Sequence, residues 1–129
     1  MAHKIVLVDT SILIDYFRKS DKSNSVWLKL FDQGFDFCIS AITEYEIYSG
    51  ATTSQYHFWD EILKKTKVLP FDQSVVKTAV EINNNLKRKR KQIDLADLFI
   101  AATAIAHEHP IATLNKKHFE RVDALNIIE

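Results

Sequence analysis

Glycine and proline are scarce in this 129-residue chain, with two of each. Tight hairpin turns draw heavily on glycine, so a hairpin-rich all-β architecture is disfavoured, and long amphipathic stretches joined by short connections are expected instead. Cysteine occurs once, at Cys38, which excludes an internal disulfide and fits a reducing, cytoplasmic setting. Net charge is also lacking: 17 Lys and Arg balance 17 Asp and Glu, so no overall field draws the chain toward nucleic acid or anionic lipid, and any such contact must come from a local cluster. The apolar run Ile5 to Val8 ends at Asp9, too soon for a signal-peptide core or a membrane span. No linker or repeat interrupts the sequence. A hydrophobic content of 47% over this length predicts one domain spanning residues 1–129.

What is present is an alternation of strand and helix signals. Lys4 to Val8 reads as a buried strand, and Asp9-Thr10-Ser11 opens the helical pattern Ile12, Leu13, Tyr16, Phe17. A helix over Ser23 to Phe31, closing at Gly34, leads to a strand at Phe37-Cys38-Ile39 and a helix from Ala41 to Gly50. Helices around Gln55 to Lys65 and Val75 to Lys87 flank a strand at Val68-Leu69. A helix over Leu95 to His107 precedes a fourth strand, Pro110 to Thr113, with Ile127-Ile128 as a pairing edge. This order predicts an α/β fold, a central parallel sheet flanked by helices, with ligands in the crevice at the strands' carboxyl ends.

Three acids fall where apolar sequence predicts buried positions: Asp9, Glu46 and Asp97. Two like charges about 4 Å apart repel by roughly 4 kcal/mol at an effective dielectric near 20, so three converging carboxylates call for a cation. Mg2+ is the expected ion and Mn2+ the alternative, because the donors are hard oxygens and no Cys or His cluster competes for a softer metal. Glu44 and Glu46 lie about 200° apart on a helix, so only one faces inward. Glu46, four residues from both Ile42 and Gly50, is the choice. Asp94 and Asp97 share a face, with Asp94 either close to the metal or acting as an N-cap.

The residues Val8-Asp9-Thr10-Ser11, Ser40 through Thr43 to Glu46 and Gly50, Asp97 through Ala104, and Thr113-Leu114-Asn115 with Phe119 resemble the PIN-domain proteins, specifically toxins of the VapC type. The match runs through nearly the whole chain in the expected order. The resemblance implies a PIN-like fold and divalent-metal-dependent endoribonuclease activity leaving 5′-phosphate and 3′-hydroxyl ends. It also implies assembly as a homodimer and neutralisation by a cognate antitoxin. By position, Asp9, Glu46 and Asp97 match the family's best-defined acids, and Thr10 or Ser11 matches a hydroxyl beside the metal. One departure stands out: PIN domains often carry a fourth acid after the fourth strand, and here Asn115 and His118 occupy those positions. Asn115 can still offer a neutral oxygen to a water on the metal.

Lys87-Arg88-Lys89-Arg90-Lys91 is the one dense charge run, either an RNA-phosphate contact or a solvated helix end favoured by the dipole. His107 and His109, two apart, would diverge on a helix and make a poor metal pair. Trp27, Trp59, Tyr45, Tyr48 and Phe99 fit core or subunit packing better than base stacking, and Cys38 reads as inert. Two rival readings stay open. One is a phosphohydrolase with Asp9 as covalent nucleophile, which a strand ending in Asp-Thr-Ser superficially resembles, although the second acid two residues on is missing. The other is an RNA-binding module without turnover.

Overall fold

The computed structural model describes residues 4–128. Four strands, β1 (Lys4–Val8), β2 (Phe35–Ser40), β3 (Lys67–Leu69) and β4 (Ile111–Ala112), form one sheet in the order β3-β2-β1-β4, every pair parallel. Parallel neighbours need crossovers, and helices supply them. α1 (Thr10–Arg18), α2 (Val26–Asp32) and α3 (Ala41–Gly50) are followed by α4 (Tyr56–Leu63), α5 (Gln73–Lys89), α6 (Leu95–Ala106) and α7 (Lys116–Phe119). Ile127 forms a parallel bridge to Ile111, so the expected edge pairing reduces to a single bridge.

The period-two alternation of the strands divides the core in two. Leu7, Cys38, Leu69 and Ile111 face one way, onto Val75, Ala79, Leu86, Ile100, Ala101 and Phe119 from α5, α6 and α7. Val6, Val8, Ile39 and Ala112 face the other, onto Ile12, Leu13, Leu30, Ile47, Trp59 and Leu63. Trp59 stacks near Phe17 and Trp27 meets Phe37 edge-on, so both tryptophans serve packing. Phe99 packs on Phe71, Tyr48 donates to Asp60 at 2.7 Å, and Tyr45 alone of the five aromatics stays largely exposed, at 70%. Cys38 is buried against β1, and burial pushes its thiol up to about 11, well away from nucleophilic use.

Local signals set the element ends, and several shift the sequence expectations. Residues 22–24 form a 3-10 turn, and α2 starts only at Val26 because the fully buried Ser25 caps it, accepting from Leu28 N. Residues 53–55 form a second 3-10 turn before α4. Asp72 caps α5 through Val75 N, extending that helix at its start. Lys22 Nζ donates to the carbonyls of Tyr16, Phe17 and Lys19 at 2.7–2.9 Å, satisfying the orphan acceptors at the end of α1. After α6, Glu108 takes the left-handed conformation (φ 58) and His109 N donates back to Ala104 O, a turn that aims the chain into β4.

The chain runs outward from β1 through β2 to β3 and then returns to place β4 on the other side of β1. The switch point therefore lies between the carboxyl ends of β1 and β4, where crossovers diverge and open a crevice.

Candidate active site

A cavity of about 700 Å³ opens at this switch point, lined by Asp9, Thr10, Ser11, Glu46, Asp97 and Asn115 among others. Asp9 follows β1 directly and is the N-cap of α1, with extended backbone (φ −81°, ψ 170°). Its Oδ1 accepts from Ser11 N, and its Oδ2 accepts from the hydroxyl of Thr113, which follows β4. Asp9 is 3% exposed, and burial raises its pKa above the ordinary carboxylate value. The Thr113 and Ser11 hydrogen bonds oppose that rise, and the charge of Asp97 adds to it.

Glu46 reaches the cavity from the middle of α3, accepting from Thr10 Oγ1 at 2.6 Å. Thr10 Oγ1 also lies 3.1 Å from Thr43 Oγ1, and its single proton is given to the carboxylate, so Thr43 is the donor in that second contact. Ser40 Oγ, at the carboxyl end of β2, donates to Thr43 Oγ1 at 3.3 Å. Ser40, Thr43 and Thr10 thus form a chain of hydroxyls, each donating once, that ends on Glu46. Glu44 is absent from the cavity lining and acts electrostatically on Tyr48 instead.

Asp97 lies in the first turn of α6, where the helix dipole favours a carboxylate by about 0.3–1 kcal/mol. Its Oδ2 meets His118 Nδ1 of α7 at 3.0 Å. Burial again is the largest cause of its raised pKa. The hydrogen bond and charge of His118 oppose the rise, and Asp94 and Glu46 add to it by repulsion. Asp94 occupies the N-cap position of α6, but its side chain makes no capping hydrogen bond and is exposed.

The acids line one cavity yet are not drawn into a tight cluster. Among the described residues, no three His, Cys, Asp or Glu side chains are grouped so as to hold a metal ion as they stand. Each carboxylate is bonded to a different protein donor. The donor set nevertheless fits a hard cation: three carboxylates border one open space, and two of them, Asp9 and Asp97, are disfavoured in their charged form by burial and by the charge of a neighbouring acid.

Asn115 borders the cavity as the residue before α7, and its N–H donates to Thr113 Oγ1 at 2.9 Å. Ser11 Oγ accepts from Leu114 N at 3.0 Å, so Ser11 ties the start of α1 to the loop after β4. Of the basic run, none of Lys87, Arg88, Lys89, Arg90 and Lys91 lines the cavity. All five are exposed, Lys89 pairs with Asp123, and Arg90 ends α5 in the left-handed conformation (φ 57). His107 and His109 sit at the far end of α6, before β4, and belong to no metal-holding group among the described residues.

Several lining residues carry no signal in the sequence. Arg18 and Lys19, at the end of α1, bring cations to the rim of an otherwise acidic cavity, and Lys19 pairs with Asp15 at 3.6 Å. Asp15 also accepts from Val26 N at 3.0 Å, which commits it to docking α2. Thr43 and Thr113, both buried, are legible as family motif positions but not as the partners of Glu46 and Asp9.

The fold and the sequence along nearly the whole chain are similar to known proteins. The model of the PIN domain matches residues 6–125. Ribonuclease VapC1 of Methanocaldococcus jannaschii is 37% identical over 118 residues, covering 91% of this chain and 80% of that protein. A toxin-antitoxin complex from Klebsiella pneumoniae contains a chain that superposes with a TM-score of 0.72 at 26% identity, covering 96% of each chain. A DNA-bound VapBC from Salmonella typhimurium superposes with a TM-score of 0.85 over 98% of each chain, a likeness of fold at 22% identity. A family match through almost every element, together with acids from the end of β1, from α3 and from α6 around one crevice, leads to one assignment: the chain belongs to the PIN-domain family, alongside the VapC ribonucleases.

Proposed function

We propose that this protein is the endoribonuclease toxin of a toxin–antitoxin pair, hydrolysing RNA phosphodiester bonds in the cytoplasm with Mg2+, or Mn2+ in its place, held by Asp9, Glu46 and Asp97. The observation that carries this reading is the meeting of three carboxylates from separate chain segments at the β1/β4 switch point of a VapC-like chain. When bound there, the ion supplies charge neutralisation at the phosphate and a more acidic water. Asp9 and Asp97 are the principal holders, both at helix starts, and Thr113 and Ser11 fix the orientation of Asp9. Glu46 is the group that orients the attacking water, lining the cavity while Thr10 holds one of its oxygens. Arg18 and Lys19 on the rim are suited to the phosphates flanking the scissile bond, as cations at the mouth of an acidic cavity must be to let a polyanion approach.

Asp9 is poorly disposed as a covalent nucleophile, since both its oxygens accept hydrogen bonds and the residue is almost wholly buried. Other partners follow from the same reading. The apolar groove lined by Phe71, Val76, Val80 and Leu95, with Val80 54% and Leu95 63% exposed, suits a second copy of the chain in a homodimer. The antitoxin is expected to cover the acidic cavity. No described helix is long and apolar enough to cross a membrane.

The test is expression of the chain with and without its neighbouring reading frame, with RNA integrity followed directly. Cleavage and growth arrest that require Asp97 and are suppressed by the partner would support the proposal. RNA binding without magnesium-dependent cleavage would instead favour a module without turnover.

A further inference from the structure

The carboxylate of Asp97 is anchored from outside its own helix by His118. In the ionised form that would hold a cation, the Asp97 carboxylate can only accept a hydrogen bond, so there the Nδ1 of His118, 3.0 Å from Oδ2, is the donor. The ring comes from α7, a single turn of four residues, and sits next to Phe119, which is wholly buried among the side chains of the α5–α6 face. That neighbouring anchor fixes the backbone from which the imidazole projects, and the ring itself is about half exposed, at 48%. The torsion that turns an aspartate carboxyl is broad and two-fold, so an unrestrained carboxylate spreads its oxygens over many orientations. A directional N–H bond to one oxygen selects among them.

We propose that His118 is a positioning residue for Asp97: by holding Oδ2, it presents the carboxylate to the cavity in the orientation that a hard divalent cation needs. This inference rests on the reading of Asp97 as a metal-holding acid. Hydrogen bonds to ligating carboxylates tune metal sites, and removing such a partner lowers affinity or activity by about 10–100-fold. A residue that only helped dock α7 would change the melting temperature without changing ion affinity at a temperature where the protein is folded.

The experiment is calorimetric titration with Mn2+ alone, without RNA, of the wild type and of His118→Phe, His118→Asn and Asp97→Asn, with folding checked by circular dichroism. His118→Phe is expected to weaken Mn2+ binding about 10–100-fold while the protein stays folded. His118→Asn, whose amide nitrogen lies near the place of Nδ1, is expected to return affinity close to the wild-type value. If Asp97→Asn loses the ion but His118→Phe binds it as the wild type does, the positioning role is overturned and the metal reading survives. If His118→Asn is as weak as His118→Phe, the effect is not that of the N–H donor, and the inference is again overturned. If Asp97→Asn binds Mn2+ normally, the metal reading of Asp97 falls and takes this inference with it. Should His118→Phe fail to fold, His118→Ala carries the same two outcomes.

Discussion

Two charged regions of this molecule invite opposite readings when seen only in sequence. Lys87 to Lys91 packs five cations into five consecutive positions, whereas Asp9, Glu46 and Asp97 are scattered across 89 positions as single acids in apolar surroundings. In three dimensions the dense cluster is exposed, lies outside the cavity, and belongs to a helix end where cations are favoured by the dipole. Of the scattered acids, Asp9 and Asp97 are held in their charged form against burial and against a neighbouring acid's charge. The difference teaches that charge density along a chain reports solvation. Charge held against desolvation reports chemistry.

The contrast can be broken most directly by removing the acids. Asp9→Asn, Glu46→Gln and Asp97→Asn are each expected to lower the cleavage rate of a defined RNA about a hundredfold or more, with the protein still folded. Glu44→Gln, outside the cavity, should stay close to the wild-type rate. Loss of turnover in Glu44→Gln with retention in Glu46→Gln would reverse the assignment of the inward-facing residue.

Neutralising the basic run tests the other side. If Lys87 and Arg88 touch RNA phosphates, replacing both by Ser should weaken RNA binding and reduce the salt dependence of the affinity, by about one unit of log–log slope for each phosphate set free. The measurement is binding of an uncleaved RNA across salt concentrations. An unchanged slope would leave the run as a solvated helix end.

A smaller effect concerns stability and pH. The pKa values of Asp9 and Asp97 are raised chiefly by burial, so each acid is better accommodated protonated. Their contribution to stability is full below the unfolded value, near 3.8, and is lost as pH rises through the raised folded values. Without divalent ions, the melting temperature of the wild type relative to Asp9→Asn/Asp97→Asn should therefore fall as pH rises to neutrality. Saturating Mg2+ should raise the wild type's melting temperature and leave the double variant's unchanged. A difference that does not vary with pH would mean that burial costs these acids little.

The smallest expected effect lies at the backbone. Glu108 holds a positive φ of 58, a conformation costing about 1–2 kcal/mol for a residue with a Cβ. Glu108→Gly should therefore leave cleavage alone and stabilise the fold by about 1 kcal/mol at most, read by denaturant titration, because the greater freedom of glycine in the unfolded chain offsets part of the relief.

Much of the fold is legible in the sequence because β-branched runs and helical periods are local. β1 with its terminal Asp9, the start of α6 and the inward phase of Glu46 all follow from side-chain spacing over one or two turns. The starts of α2 and α5 are less legible, since Ser25 and Asp72 act as caps that move the boundary from where the apolar pattern places it. α7 has too few residues to show a period at all. At the site, Thr10 and Ser11 are legible as neighbours of Asp9. The roles of Thr43, Thr113, Arg18 and His118 depend on segments far apart in the chain being brought together, which no local pattern encodes.

The latch between Thr113 and Asp9 joins residues 104 positions apart. Synthesis proceeds from the amino end, so the first strand and its aspartate emerge long before the strand that completes their crevice. A nascent chain that has delivered Asp9 and Glu46 but not yet α6 and β4 has neither Asp97 nor the hydroxyl that orients Asp9, and β1 still shows an unpaired edge where β4 will lie. If the site acts as proposed, a nuclease built in this order is unarmed while only its first half has been made. The parallel topology, whose pairings are distant in sequence, would thereby tie the assembly of the crevice to the emergence of α6 and β4.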